Sequence, residues 1–237
     1  MLTPGNRKLG DQLIWGFGLP SGRAEMCTGM TALCRQHCYA RRLESYRPNV
    51  LARYEKNYRL SQRPDFEQRL YHFLLAHDVH VVRIHSAGEF YSAAYARKWL
   101  RLIRRLPQVR FFAYTRAWRD PDIGPVLERL AQRPNCRLWY SCDRQTGMPE
   151  RIPLRVRLAW LMTSDDDLPP AHADLLFRVV PLRRRRRRRL RHIQVCPAED
   201  GVPRRTPVTC DRCGLCWSPL PDDTPPRLPL PVLPTQS

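Results

Sequence analysis

Residues 79–115 read VHVVRIHSAGEFYSAAYARKWLRLIRRLPQVRFFAYT, and this stretch decides the fold class. It opens with Val79–His85, short and rich in β-branched residues, which reads as a buried strand. Ser92 stands where a helix N-cap belongs, and Tyr95, Trp99, Leu102, Ile103 and Leu106 recur behind it at helical spacing. Arg110–Thr115 returns to strand character. A strand, a crossover helix and a second strand make a βαβ unit, whose two strands run parallel.

The unit repeats in both directions. Upstream, Gln12–Gly18 predicts a strand, and Arg41–Leu60 predicts a helix interrupted at Pro48. Asp65–His77 predicts a helix with Phe66, Leu70, Phe73 and Leu74 on one face. Downstream, Ile123, Val126, Leu127 and Leu130 mark another helix. Arg137–Ser141, Arg155–Met162, Leu175–Val180 and His192–Val195 predict further strands, whereas residues 142–154 and 163–174 carry little helical period. Strands alternating with a dwindling set of helices predict an α/β fold, a partial (β/α)6-type barrel with a C-terminal cysteine-rich metal-binding extension. The barrel is expected over residues 1–190, the extension over 191–217 and a disordered proline-rich tail over 218–237.

A chain of 237 residues that is 43% hydrophobic can bury a sizeable core, which excludes a wholly disordered protein. It has no apolar run of membrane-spanning length and no apolar leader, so a cytoplasmic protein with no membrane partner is expected. The net charge is +19, carried almost wholly by arginine, with seven in one run at Arg183–Arg189. Guanidinium-rich surfaces favour phosphate-bearing partners, so nucleic acid is the partner expected of this one. Phosphate-loop, dinucleotide and H-E-x-x-H zinc motifs are all missing.

Nine cysteines fall into three groups. In a reducing compartment, clustering of this kind points to metal. Cys27, Cys34 and Cys38 form C-x6-C-x3-C. Three thiolates can hold three irons of a [4Fe-4S] cluster and leave the fourth open, or bind zinc with a recruited fourth ligand. Cys196-Pro197 followed by Cys210, Cys213 and Cys216 offers four ligands and a closed site, for a second cluster or for zinc. Cys136 and Cys142 bracket a strand and read as buried thiols. Functional loops of parallel α/β folds lie at the C-terminal ends of strands, so the residues that follow each strand, among them Cys27, Cys34, Cys38, Ser141, Cys142 and Cys196, are expected on one rim. Gly88 and Glu89 follow one strand, and Thr115 and Arg116 the next. Glu89 could hold an ammonium group. Arg83 and His85 alternate on one strand, so both are expected on the same side. Glu89, His85 and Arg116 are the candidate catalytic side chains, and Gly88 and Glu89 the candidate cofactor contacts.

Four blocks resemble a known family: CYARRLESYRPNVLARYEKNY, VRIHSAGEFYSAAYARKWL, FFAYT and the closing CP…TCDRCGLCW. They look like the phage gene product eighty-eight family, cysteine-rich proteins of phages and mobile elements with no settled activity. A broader likeness is to radical S-adenosylmethionine enzymes, which place three cysteines after the first barrel strand and a Gly-Gly-Glu motif after the second. That likeness implies a cluster on Cys27, Cys34 and Cys38, with Gly88 and Glu89 at the amino group of S-adenosylmethionine and an external electron donor. The spacing departs from that family's C-x3-C-x2-C, and Ala87-Gly88 replaces its paired glycines. Three functional classes stay open: a radical-type iron–sulfur enzyme, a non-catalytic metal-stabilised nucleic-acid binder, and a redox regulator.

Overall fold

A computed structural model describes residues 1–6, 8–164, 166–179, 193–198 and 208–218. The arginine run Arg183–Arg189 and the tail from residue 219 lie outside the described residues. The fold is mixed α/β around one sheet of eight strands among the described residues, and every neighbour in the sheet is also a neighbour in the chain. β1 (Thr3–Asn6) pairs antiparallel with β2 (Gly10–Phe17). From β2 onward all pairing is parallel, through β3 (Val81–Ile84), β4 (Arg110–Thr115), β5 (Cys136–Cys142), β6 (Val156–Met162), β7 (Leu175–Arg178) and β8 (Gln194–Val195).

Right-handed crossovers between sequential parallel strands put their helices on one face of the sheet. Those helices are α3 (Pro48–Gln62), α4 (Phe66–Ala76), α5 (Ala93–Arg105) and α6 (Gly124–Ala131). Strand residues alternate between faces. Val82, Ile84, Phe111, Ala113 and Leu138 point into the core shared with Phe66, Trp99, Ile103 and Leu127. Phe17, Phe66 and Trp99 form its aromatic centre, with ring centroids 5.5–5.8 Å apart. The other set, Ile14, Val81, Phe112, Trp139 and Ala159, lines the opposite face. Two short helices precede α3: α1 (Ala32–Gln36) and α2 (Tyr39–Tyr46). A last one, α7 (Cys210–Cys213), follows β8. No helix among the described residues is long and apolar enough to cross a membrane.

The Pro48 interruption falls where expected, because proline fits the first turn of α3 as an N1 residue and so divides it from α2. Ser92 caps α5, accepting from Tyr95 N at 3.2 Å. β1 was not expected. Its sequence, TPGN, carries no strand signal, and it becomes a strand because β2 offers an edge. Asn6 closes the turn, its side chain accepting from Lys8 N at 2.9 Å and Leu9 N at 2.8 Å.

Candidate functional site

The loop between β2 and α3 carries Cys27, Cys34 and Cys38, and two buried carboxylates tie it down. Glu44 accepts from Ser21 Oγ at 2.7 Å and from Ser21 N at 3.2 Å. The Cys38 thiol donates to the same hydroxyl at 3.9 Å, and Gly22 N donates to Cys27 Sγ at 3.3 Å. The second carboxylate is Asp143, just past β5. It accepts from Arg116 Nη1 at 2.7 Å, from Thr31 Oγ1 at 2.8 Å, and from the amides of Gln145 and Thr146 at 2.8 and 2.9 Å. Burial pushes Asp143 up, but the Arg116 charge and these bonds outweigh it and hold the carboxyl below its ordinary value. Thr31 in turn accepts from Cys34 N at 3.0 Å and so caps α1. Gly29 has φ +78°, and a Cβ there would stand 2.1 Å from Arg116 O, so only glycine lets the loop pass.

Gly88, at φ +76°, turns the chain after β3 with Leu19 packed against it. Glu89 then reaches the end of β4. Its Oε1 accepts from Phe90 N at 2.8 Å and Thr115 Oγ1 at 2.7 Å, and its Oε2 from Arg116 N at 2.7 Å. Burial nevertheless pushes this carboxyl up to about 7. Burial also pushes Cys27 up to about 12 and raises Cys34, and the neighbouring thiols and the Glu89 charge add to both shifts. Cys27, Cys34, Cys38 and Glu89 therefore lie within electrostatic reach of one another.

His85 does not join them. Its φ of +65° breaks the strand alternation after Ile84 and swings the ring into the helix-side core. There Nε2 bonds the Tyr95 hydroxyl at 2.9 Å and the ring packs against Phe90. Burial, aided by the Arg83 charge, lowers the imidazole to about 3, which makes it neutral packing. Arg83 lies on the other face, where its Nη2 donates to Tyr39 Oη at 3.2 Å. The expectation that both residues share a side therefore fails at a left-handed turn.

The C-terminal cysteines dock on the face of the sheet opposite the crossover helices: α7 sits by the start of β2, Cys216 reaches Tyr114 near the end of β4, and Cys196 directly follows β8. Cys210 N donates to Lys8 O at 2.9 Å and Asp211 N to Leu9 O at 3.1 Å, both just before β2 begins. Trp217 packs over Arg110, the first residue of β4, 5.6 Å from ring centroid to guanidinium. Rings complete the seat: the Tyr114 hydroxyl donates to Cys216 Sγ at 2.7 Å, Trp139 Nε1 to Cys216 O at 3.1 Å, and Trp217 Nε1 to Cys210 O at 3.0 Å. Burial pushes Cys216 up to about 12, and the charges of Cys196, Cys210 and Cys213 act in the same direction. These four thiols are thus neighbours as well.

Between the two groups lies a cavity of about 220 Å³. Cys34 and Cys38 line one side of it, Cys196, Cys210 and Cys216 another, and Tyr114, Arg116 and Cys142 also face it. Of the residues expected to converge at the strand ends, Cys34, Cys38, Arg116, Ser141, Cys142 and Cys196 all line this space. Among the described residues, no three His, Cys, Asp or Glu side chains are gathered tightly enough to grip one ion.

A family model described as Gene product 88 matches residues 1–219. The chain belongs to the gene product 88 family. Two similar curated proteins are the Gene 88 proteins of Mycobacterium phage L5 and Mycobacterium phage D29, 33% and 32% identical over 138 residues. Each match takes in 54% of this chain and 56% of the relative, so the chain spans about half the length of the curated relatives it matches. No solved structure matches. The four blocks that resembled this family are thereby accounted for, while the likeness to radical S-adenosylmethionine enzymes has no counterpart in these comparisons.

Sequence reasoning missed several members of this gene product 88 site. Asp143 and Thr31 hold the cysteine loop, and Glu44 anchors its first half. The only signals for them were a threonine three residues before Cys34, at a helix N-cap, and an Asp-x-x-Thr turn after β5.

Proposed function

We propose that this protein is an iron–sulfur protein with two metal centres on either side of one cavity. The observation that carries the reading is that shared cavity, lined from both cysteine groups. On this reading Cys27, Cys34 and Cys38 hold three irons of a [4Fe-4S] cluster and leave the fourth for a ligand. Cys196, Cys210, Cys213 and Cys216 close the second centre, as a cluster or as zinc. A cubane takes one thiolate at each iron, so its ligands surround a volume and do not converge on one point as the ligands of a single ion do. The donor chemistry fits too, since buried thiols that raise one another's pKa gain their counter-charge from a bound cation. All nine cysteines are free of disulfides, and a reducing cytoplasm is the compartment the reading requires.

The winding of the sheet, each parallel strand beside the next, supports a partial (β/α)6-type barrel. Its first parallel strand leads to the three-cysteine loop and its second to Gly88 and Glu89. On that order rests the finer reading, a radical-type enzyme with S-adenosylmethionine at the open iron, Gly88 and Glu89 beside its amino group, and a separate electron donor. A cluster so placed would supply the single electron that cleaves this cofactor. Thr115 and the Arg116 amide hold the Glu89 carboxylate in place. Asp143 fixes the Arg116 guanidinium at the cavity wall. Phe112, Tyr114 and Phe177 give the cavity an apolar part of its lining.

Iron, sulfide and zinc content of protein purified without oxygen, with its visible spectrum, tests the reading. About eight irons per chain support two cubanes. About four irons with one zinc keep the open centre and make the C-terminal one structural. Zinc alone ends the iron–sulfur reading. Calorimetric titration of the iron-loaded protein with S-adenosylmethionine tests the finer one, which fails if no binding is detected.

A further inference from the structure

α2 presents an unusual surface. Among the described residues Tyr39 and Tyr46, 56% and 61% exposed, are the only tyrosine, tryptophan or phenylalanine side chains that stand mostly in solvent, and both are on this one helix. They are seven residues apart, two turns along the same face and roughly 10 Å along the axis. That is the rise of about three stacked nucleotides. Arg42 and Arg47 are exposed beside them, and the Arg47 guanidinium lies 5.9 Å from the Tyr46 ring. The one carboxylate between residues 26 and 54 is Glu44, turned inward onto Ser21. Tyr39 also lines the cavity, its hydroxyl bonded to Ser86 O.

An acidic protein partner would be met by the arginines alone and would leave two exposed rings in line unexplained. Bases have a π-face and phosphates a charge, and alternating aromatic and guanidinium groups serve both. We propose that the outer face of α2 is a track for single-stranded nucleic acid that leads to the mouth of the cavity. The track goes beyond the iron–sulfur reading and does not depend on it.

The test is fluorescence anisotropy of a labelled 12-nucleotide oligothymidylate against the full chain, across a salt series, with iron content measured on the same samples. Tyr46→Ala is expected to weaken binding about tenfold, as the loss of one stacked base does, and Tyr46→Trp to restore it. Replacing both Arg42 and Arg47 by Gln should lower the slope of log affinity against log salt by about 1.4. Equal affinity of the wild type and Tyr46→Ala overturns the proposal and moves the binding elsewhere, for instance to Arg183–Arg189. Displacement of the strand by polyglutamate at equal charge also overturns it, in favour of an acidic protein. Iron content reads separately, so a failed cluster and a failed track are told apart.

Discussion

Around Cys34 the chain is fixed by charge, with Asp143, Arg116 and Thr31 joined by bonds of 2.7–2.8 Å in a buried setting. Around Cys216 it is fixed by rings and backbone, with Tyr114, Trp139 and Trp217 each giving one hydrogen bond. The first arrangement is anchored from the sheet, because Arg116 follows β4 and Asp143 follows β5. The second leans on a four-residue helix too short to persist alone, so its order should depend more on what its thiols bind. On the proposed reading, an open centre would need a loop that stays put when its ligand leaves, and a closed one could be assembled by the metal itself.

The largest effect that could break this contrast is Asp143→Ala. It leaves Arg116, only 9% exposed in its side chain, without its counter-charge, and should cost about 3–5 kcal/mol in urea unfolding. It should also speed reaction of Cys34 with a thiol reagent while leaving Cys216 unchanged. A loss below about 1 kcal/mol would mean that charge does not hold the loop.

Next in size is a pH effect. The folded carboxyl of Glu89 titrates near 7, above its ordinary value of 4.5, so between those values the folded chain keeps a proton the unfolded chain has lost. Stability from this residue is therefore full below about pH 4.5 and falls as pH rises towards 7, by no more than about 1.4 kcal/mol per pH unit. The difference in stability between wild type and Glu89→Gln should shrink steadily over that range. A constant difference would show that Glu89 is already ionised in the fold.

Thr31→Ala removes the cap of α1 and one bond to Asp143, and should cost about 1 kcal/mol. Smallest is Trp217→Phe, which deletes the bond to Cys210 O and keeps most of the ring packing, at about 0.5–1 kcal/mol. If metal is what orders the C-terminal group, this last cost should diminish in metal-loaded protein, whereas that of Thr31→Ala should not.

Much of the frame was legible because its signals are local. The strand at Arg110–Thr115 was read to the residue, and the helix after Ser92 was read from its cap. The site was legible only as an inventory of thiols, together with Gly88 and Glu89. Alternation placed Arg83 and His85 together, but one positive φ, which no residue type at that position announces, sent His85 to the other side. The position of the C-terminal group depends on Tyr114 and Trp139, whose inward direction follows from the face of the sheet and not from neighbours in the chain. Asp143 and Thr31 are 112 residues apart, beyond anything a spacing rule can see.

The amide of Asp11 meets the carboxylate of Asp211 across 200 positions. As the ribosome releases the chain, the sheet can form on its helices well before residues 208–218 emerge to cover its other side. During that interval Ile14, Phe112 and Trp139 present a bare apolar floor, the kind of surface on which nascent chains stick to one another. The cavity therefore closes late, and yield in the cell should depend on how quickly its cysteine-rich cover arrives.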